Sequence, residues 1–187
     1  MLSLPDGYKI MERIELVKEE NLVIKLTVIS LVIAAIMIVV GIIITPFSVR
    51  LSIGSIPLPV SLIMYLLAFF ALIVIHELIH GFFIKKYSGT KVIYGVGFAY
   101  AYAGSKAYFN MRQYIIISLA PVIVLGAFFL ALSIALPLEW FWTIYIFQII
   151  NITSAAGDFY MAYYIRRQPK DVLVQDDGPA MSIFHKT

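Results

Sequence analysis

The chain has 187 residues, of which 61% are hydrophobic and only 13% are charged, with a net charge of +3 and a mean hydropathy of +0.93. Because a soluble domain carries roughly twice that charged fraction, the composition excludes an ordinary soluble globular protein and predicts an integral membrane protein. The chain contains no cysteine, which excludes disulfides and thiolate metal sites. The modest positive charge lies at the ends of apolar segments, which indicates membrane orientation rather than nucleic-acid binding.

The N-terminal segment is amphipathic. Residues 9–20 place Ile10, Met11, Ile14 and Val17 at helical spacing, with charged residues between them. This pattern predicts a helix lying on the cytoplasmic membrane surface, and a short solvated helix is the alternative. We therefore expect residues 1–21 to form a cytoplasmic amphipathic segment.

Four apolar segments are long enough to cross a bilayer, which requires about 20 residues. They are Leu22–Thr45, Val60–Ile84, Tyr114–Leu136, in which Pro121 predicts a kink or an early turn, and Trp140–Ile165. Residues 22–165 are therefore predicted to form one domain of four transmembrane helices. The predicted fold is an all-α membrane protein.

The basic residues predict the orientation of these spans. Thirteen of the fourteen lysines and arginines fall on one side of the predicted membrane, and Arg50 is the exception. By the positive-inside rule, both termini and the Lys85–Arg112 loop are cytoplasmic. The protein is thus predicted to be a multi-pass protein of the cell membrane, with residues 166–187 as a cytoplasmic polar tail.

A His-Glu-x-x-His pattern lies near the end of the second span and uses two of the three histidines in the chain. His76 and His80 are one helical turn apart, so both imidazoles face the same side and can reach one Zn²⁺. Glu77 then lies beside the metal, where it can take a proton from a bound water. The alternative is a pair of histidines that only form hydrogen bonds with neighbouring residues.

A catalytic zinc site usually has three protein ligands, and Asp158 is the best candidate for the third. His76 lies ~13 Å and Asp158 ~12 Å along their helices from the cytoplasmic boundary, so both are predicted at the same depth. Glu139 lies at the opposite face, and His185 competes only if the tail folds back. The alternative for Asp158 is a protonated carboxyl, or one paired with hydroxyl groups.

Large and small residues alternate along Val92–Ala103, directly after the second span. This period of two predicts a β-strand. Because an unpaired strand edge is not tolerated in lipid, we expect a re-entrant hairpin or edge strand beside the zinc, where it would bind an extended substrate by adding a strand. The alternative is an interfacial aromatic belt rich in tyrosine.

The histidine pattern in one span, with Asn151 and Asp158 in a later one, resembles the site-2 protease group of intramembrane zinc metalloproteases. The small four-span layout resembles still more closely a prokaryotic family of putative zincin peptidases. The resemblance implies that Asp158 is the third zinc ligand and that Asn151 binds the substrate backbone. Alternatively, Asn151 links two helices. This chain lacks the proline found between these residues in the group, and Phe159 replaces the glycine that follows the aspartate.

Together these features predict an intramembrane zinc metallopeptidase in which His76, His80 and Asp158 bind Zn²⁺. Glu77 is the predicted general base, and Asn151 is predicted to orient the substrate. The predicted partners are the lipid bilayer and a membrane protein or peptide substrate. The alternative is a zinc-binding pseudoprotease that binds transmembrane segments of partner proteins without hydrolysing them.

Overall fold

A computed structural model describes residues 2–15, 18–97 and 100–186. Three of its helices are long and apolar enough to cross a membrane: α1 (Glu20–Ile44), α2 (Leu58–Ser88) and α3 (Met111–Ala135). They agree with the first three predicted spans. Many of their large apolar side chains are exposed on the outer surface, as expected of helices that lipid surrounds.

The fourth apolar segment forms two helices. A single 3₁₀ turn, Leu138–Trp140, precedes α4 (Phe141–Ser154) and α5 (Ala156–Arg166), which are separated at Ala155. With 14 and 11 residues, neither helix alone has the ~20 residues that a span requires. At the break, the Ser30 hydroxyl donates to the carbonyl of Thr153 at 2.8 Å.

The α4 and α5 helices run antiparallel beside α1. Near the beginning of α4, Trp142 Nε1 donates to the carbonyl of Pro46 at 2.9 Å, and Tyr145 Oη donates to the carbonyl of Met37 at 2.9 Å. Farther along, Thr153 accepts from Ser30. Later positions in α4 thus bond to earlier positions in the α1 segment, as antiparallel helices do. The α4 and α5 helices together therefore lie beside most of α1.

Short strands link the segments outside the long helices. Within the described residues these are β1 (Tyr8–Ile14), β2 (Ile93–Val96), β3 (Ala101–Gly104), β4 (Tyr108–Asn110), β5 (Leu173–Asp176) and β6 (Met181–Lys186). The β1, β6, β5 and β4 strands form one antiparallel sheet in that order. The sheet therefore brings the N-terminal segment, the connection before α3 and the C-terminal segment to the same end of the helices.

The predicted N-terminal amphipathic helix is wrong, because Tyr8–Ile14 is a strand paired with β6. Val17, which completed the helical pattern, lies outside the described residues. The spacing of apolar residues within one segment gives no information about a partner strand that is more than 160 residues away in the chain. The C-terminal tail is likewise more than a polar extension, because β5 and β6 contribute buried apolar residues such as Val174 and Ile183.

The predicted β segment after the second span is present as a hairpin. β2 and β3 pair antiparallel, and the Gly97 N–H donates to the Tyr100 carbonyl at 2.7 Å. Phe98 and Ala99 lie outside the described residues. The fold is thus mostly helical, but the term all-α omits the terminal sheet.

Apolar side chains form two buried clusters. One joins the sheet to the ends of α2, α3 and α5, and the other lies between α2, α3 and α4. The first includes Ile84, Phe109, Ile117, Ile165, Val174 and Ile183, and the second comprises Leu72, Leu125, Phe129 and Ile144. Because both clusters include residues of α2 and α3, they fix these helices relative to the other elements around the histidine pattern.

Candidate metal centre

The histidine pattern lies in the second half of α2, which continues through it to a left-handed cap at Gly89. Because one turn separates His76 from His80, their rings are neighbours, with centroids 4.9 Å apart. His80 is buried, with 6% of its surface exposed. Helical geometry alone therefore directs two imidazoles into the interior between α2, α3 and α5.

Asp158 reaches the histidines from the first turn of α5. Its Oδ2 lies 3.2 Å from His76 Nε2 and its Oδ1 lies 3.4 Å from His80 Nε2. One ligand atom from each residue can be chosen so that all lie within 4.8 Å of one another. A helix N-terminus also favours a negative charge, so the break at Ala155 provides a suitable position for this carboxylate.

The separations and the donor types fit a zinc ion. Two atoms that each lie ~2.0–2.1 Å from a tetrahedral zinc are roughly 3.3 Å apart. Each measured nitrogen-to-oxygen distance is close to this value, with one carboxylate oxygen of Asp158 near each histidine. Two imidazole nitrogens and one carboxylate are a common donor set for catalytic zinc. The structure therefore brings together the three residues predicted as ligands, in an arrangement that could hold the ion.

The ring of His80 is held in place from behind. Its Nδ1 lies 2.9 Å from the carbonyl oxygen of Ile117 in α3. A carbonyl can only accept, so Nδ1 carries the proton in this bond. In the neutral ring, Nε2 then has a free lone pair directed toward Asp158, as metal coordination requires.

Glu77 lines the same cavity as the two histidines and Asp158. Its carboxyl group lies next to the backbone N–H of Ala103 in β3. This contact brings the hairpin against the histidine helix. Glu77 is thus located between the candidate metal ligands and β3 of the hairpin.

The cavity has a volume of about 1090 Å³. Its walls are mostly apolar and aromatic, and its ionisable lining residues among those described are His76, Glu77, His80, Asp158, Asp176 and several tyrosines. No lysine or arginine lines it within the described part of the chain. The space is therefore suited to an apolar or neutral chain segment rather than to an acidic one.

Asn151 lies away from this cavity. It is fully buried, and its Nδ2 donates to the carbonyl of Val122 in α3 at 3.3 Å. This bond links α3 and α4, as expected of polar residues between membrane helices. A role for Asn151 in substrate orientation stays a prediction.

The competing ligands lie elsewhere in the fold. Glu139 forms an ion pair with Arg50, in the connections at the other end of the helices. The tail does fold back, but His185 lies in β6 opposite Lys9 of β1. Neither residue belongs to the group of possible metal ligands found among the described residues.

The sequence reasoning missed a buried pair beside the site. Tyr114 Oη donates to Asp176 Oδ2 at 2.6 Å, and both residues line the cavity. Asp176 belongs to the segment predicted as a cytoplasmic polar tail. No local pattern indicated this contact, because the two residues are 62 positions apart and meet only through the terminal sheet.

A comparison with protein-family models identifies the group to which the chain is related. The family described as "Putative zincin peptidase" matches residues 69–173. This match covers more than half of the chain. The chain belongs to this family. No curated protein and no solved structure matches it.

The matched segment of this zincin peptidase family member includes the histidine pattern, Asp158 and the intervening hairpin. Membership implies zinc and a metallopeptidase activity, and it agrees with the prediction from the sequence at that level. The His76, His80 and Asp158 group provides a site for such an ion.

Proposed function

We propose that this member of the zincin peptidase family is an intramembrane, site-2-protease-like zinc metallopeptidase. It hydrolyses peptide bonds of membrane-associated or transmembrane proteins near the cytoplasmic face. The observation that carries the proposal is the meeting of His76, His80 and Asp158 in an apolar cavity, with Glu77 beside them. A cluster of ionisable groups in such surroundings is energetically costly, and clusters of this kind usually serve a function.

His76, His80 and Asp158 would hold the ion and leave one coordination position open. Zinc in such a site acidifies water and polarises a carbonyl oxygen. The charges also balance, because Zn²⁺ with the carboxylates of Asp158 and Glu77 sums to zero. A neutral cluster is the arrangement that an apolar environment favours.

Glu77 is proposed as the general base. It follows His76 directly in α2 and faces the same cavity, so its carboxylate can accept a proton from the attacking water. As the peptide bond breaks, the same carboxyl group can donate that proton to the nitrogen of the leaving amine. The reaction therefore needs one carboxyl group in two successive protonation states.

The terminal sheet supports the proposed membrane topology. It contains strands from the N-terminal segment, from the connection between α2 and α3, and from the C-terminal segment. These are the segments that carry nearly all of the basic residues, so they are proposed to be cytoplasmic. The α4 and α5 helices together have a length of ~38 Å and run beside α1, which supports a fourth crossing.

The free edge of β3 is proposed to bind the substrate in an extended form. Gly97 and Tyr100 form a hydrogen-bonded pair, and such pairs alternate along an antiparallel ladder. The N–H and C=O groups of Ala101 and Ala103 therefore point away from β2, toward the side on which Glu77 lies. The Ala103 N–H already contacts the Glu77 carboxyl group, so the groups of Ala101 are the ones proposed to pair with the substrate. A substrate strand added there would have its peptide bonds exposed beside the metal, whereas a helical substrate would hide them.

The deciding experiment measures zinc and proteolysis on matched variants. Elemental mass spectrometry gives zinc per chain for the detergent-purified wild type, Asp158→Ala and Glu77→Gln. Mass spectrometry of protein N-termini compares membranes from cells that produce the wild type or Glu77→Gln. We expect about one zinc per chain in the wild type and in Glu77→Gln, a large loss in Asp158→Ala, and new N-termini only with the wild type.

The other outcomes separate the alternatives. Zinc binding without Glu77-dependent cleavage would support the pseudoprotease. Zinc retained by Asp158→Ala would place the third ligand elsewhere. Absence of zinc from the wild type would overturn the proposed function.

A further inference from the structure

One backbone carbonyl in α3 has no hydrogen-bond partner within the helix, because a proline occupies the position that would supply it. In an α-helix, the carbonyl of residue 117 accepts from the N–H of residue 121. Residue 121 is proline, which has no N–H and whose ring displaces the carbonyl four residues earlier. The α3 helix nevertheless continues through Pro121 to Ala135. The carbonyl of Ile117 therefore lacks its usual partner within the helix.

This carbonyl lies in the protein interior, where such a gap is unfavourable. Ile117 is 4% exposed and Pro121 is fully buried. A buried carbonyl without a partner is unfavourable, because it loses the hydrogen bond that water gives it in the unfolded chain. The partner that it finds is His80 Nδ1, at 2.9 Å.

The hydrogen bond between His80 and the Ile117 carbonyl also determines which ring nitrogen of His80 carries the proton. Because the Ile117 carbonyl can only accept, it holds the proton of His80 on Nδ1. Nε2 of the same ring lies 3.4 Å from Asp158 Oδ1, on the side where the ion would bind. The carbonyl that orients the His80 ring is therefore the same one that Pro121 leaves without an N–H partner in the helix.

We propose that Pro121 is a positioning residue for the metal centre, acting through the Ile117 carbonyl on His80. This inference rests on the proposed function, because it requires that His80 binds zinc. It differs from a role in kinking α3, since it depends on the missing N–H and not on the shape of the helix. Hydrogen bonds to the second nitrogen of a metal-binding histidine commonly affect affinity by about 10–100-fold.

The test restores the N–H and measures zinc affinity with a chelator of known affinity as competitor. Pro121→Ala places an N–H opposite the Ile117 carbonyl, so the helix competes with His80 for the acceptor. We expect zinc affinity to fall by about 10-fold or more. Ile123→Ala, at an exposed position of the same helix, is the matched control and is expected to retain the wild-type affinity.

A second variant separates the N–H from the kink. Lactic acid incorporated at position 121 has the side chain of alanine but an ester oxygen in place of the N–H, so the helix can relax while the carbonyl remains free. We expect this variant to bind zinc as the wild type does. In zinc-loaded protein labelled with ¹⁵N-histidine, the His80 Nδ1–H resonance should have the chemical shift of a hydrogen-bonded group in the wild type and the ester variant, and should move toward that of a free group in Pro121→Ala.

The results distinguish a failure of the positioning role of Pro121 from a failure of the metal centre itself. If the wild type binds zinc and Pro121→Ala binds it equally well, the positioning role is overturned while the metal centre stands. Equal losses in Pro121→Ala and the ester variant would assign the effect to helix shape and would also overturn it. If the wild type binds no zinc, the proposed function fails and this inference fails with it.

Discussion

Gly41 of α1 lies against two aromatic rings of α4, and its replacement by alanine tests whether these two helices pack as described. A Cβ atom at position 41 would lie 2.6 Å from Trp142 Cη2 and 2.8 Å from Tyr145 Cε1. Neither ring can move freely, because Trp142 Nε1 donates to Pro46 and Tyr145 Oη donates to Met37. Gly41→Ala therefore forces one of these hydrogen bonds or the helix spacing to change.

The expected size of the effect follows from two opposing contributions. Overpacking of this kind typically costs about 1–3 kcal/mol, and alanine gains roughly 0.8–1.0 kcal/mol over glycine in a helix. The matched variant is Gly126→Ala in α3, where the nearest heavy atom would be Gln148 Nε2 at an ordinary 3.5 Å. Only the gain applies there, so the two variants should differ by ~1–3 kcal/mol in the free energy of unfolding.

Thermal unfolding in one detergent, with the same lipid and zinc content, measures this difference. A chain of this length changes its Tm by roughly 2–4 °C per kcal/mol, so Gly41→Ala should unfold several degrees below Gly126→Ala. Equal Tm values for the two variants would refute the close approach of α1 and α4. The support for a fourth membrane crossing beside α1 would then be lost.

Two further predictions concern the substrate edge and the buried acid of the tail. Ala101→Pro removes an N–H from the free edge of β3, whereas Val96→Pro, at the position paired with it, removes one from the far edge of β2. We expect only Ala101→Pro to lower kcat/KM, by about 10-fold for one lost hydrogen bond, with zinc content unchanged; equal activities would rule out strand addition at β3. Burial raises the pKa of Asp176 from 3.8 to about 6, although hydrogen bonds from Tyr114 and the Gly178 N–H oppose this rise. Folding therefore favours the protonated carboxyl group of Asp176, and its contribution to the free energy of unfolding is full below about pH 3.8. This contribution is lost, by up to roughly 3 kcal/mol, as the pH rises through 6. Tm measured between pH 4.5 and 7.5 should fall in the wild type but not in Asp176→Asn, and identical slopes of Tm against pH would contradict the assignment.

The sequence alone was sufficient to identify the membrane class, the first three long helices and the candidate ligands. Long apolar runs and a His-Glu-x-x-His spacing are local features, and local geometry determines what they form. Asp158 could be selected from the sequence because its depth along a helix follows from counting residues to a basic boundary. The family match over residues 69–173 agrees with this level of description.

The tertiary structure decided how distant segments meet. β1 and β6 pair across nearly the entire chain, and this pairing overrides the helical spacing of the N-terminal residues. The Ser30 hydroxyl of α1 bonds to Thr153 beside the break at Ala155, and the pairing of Tyr114 with Asp176 depends on the folded tail. Pro121 shows the same division, because its missing N–H is evident in the sequence, but only the packing of α3 against α2 shows that His80 takes its place. Contacts between segments remote in the chain leave no periodic pattern, so the sequence predicts the elements and their chemistry, and packing determines which of them work together.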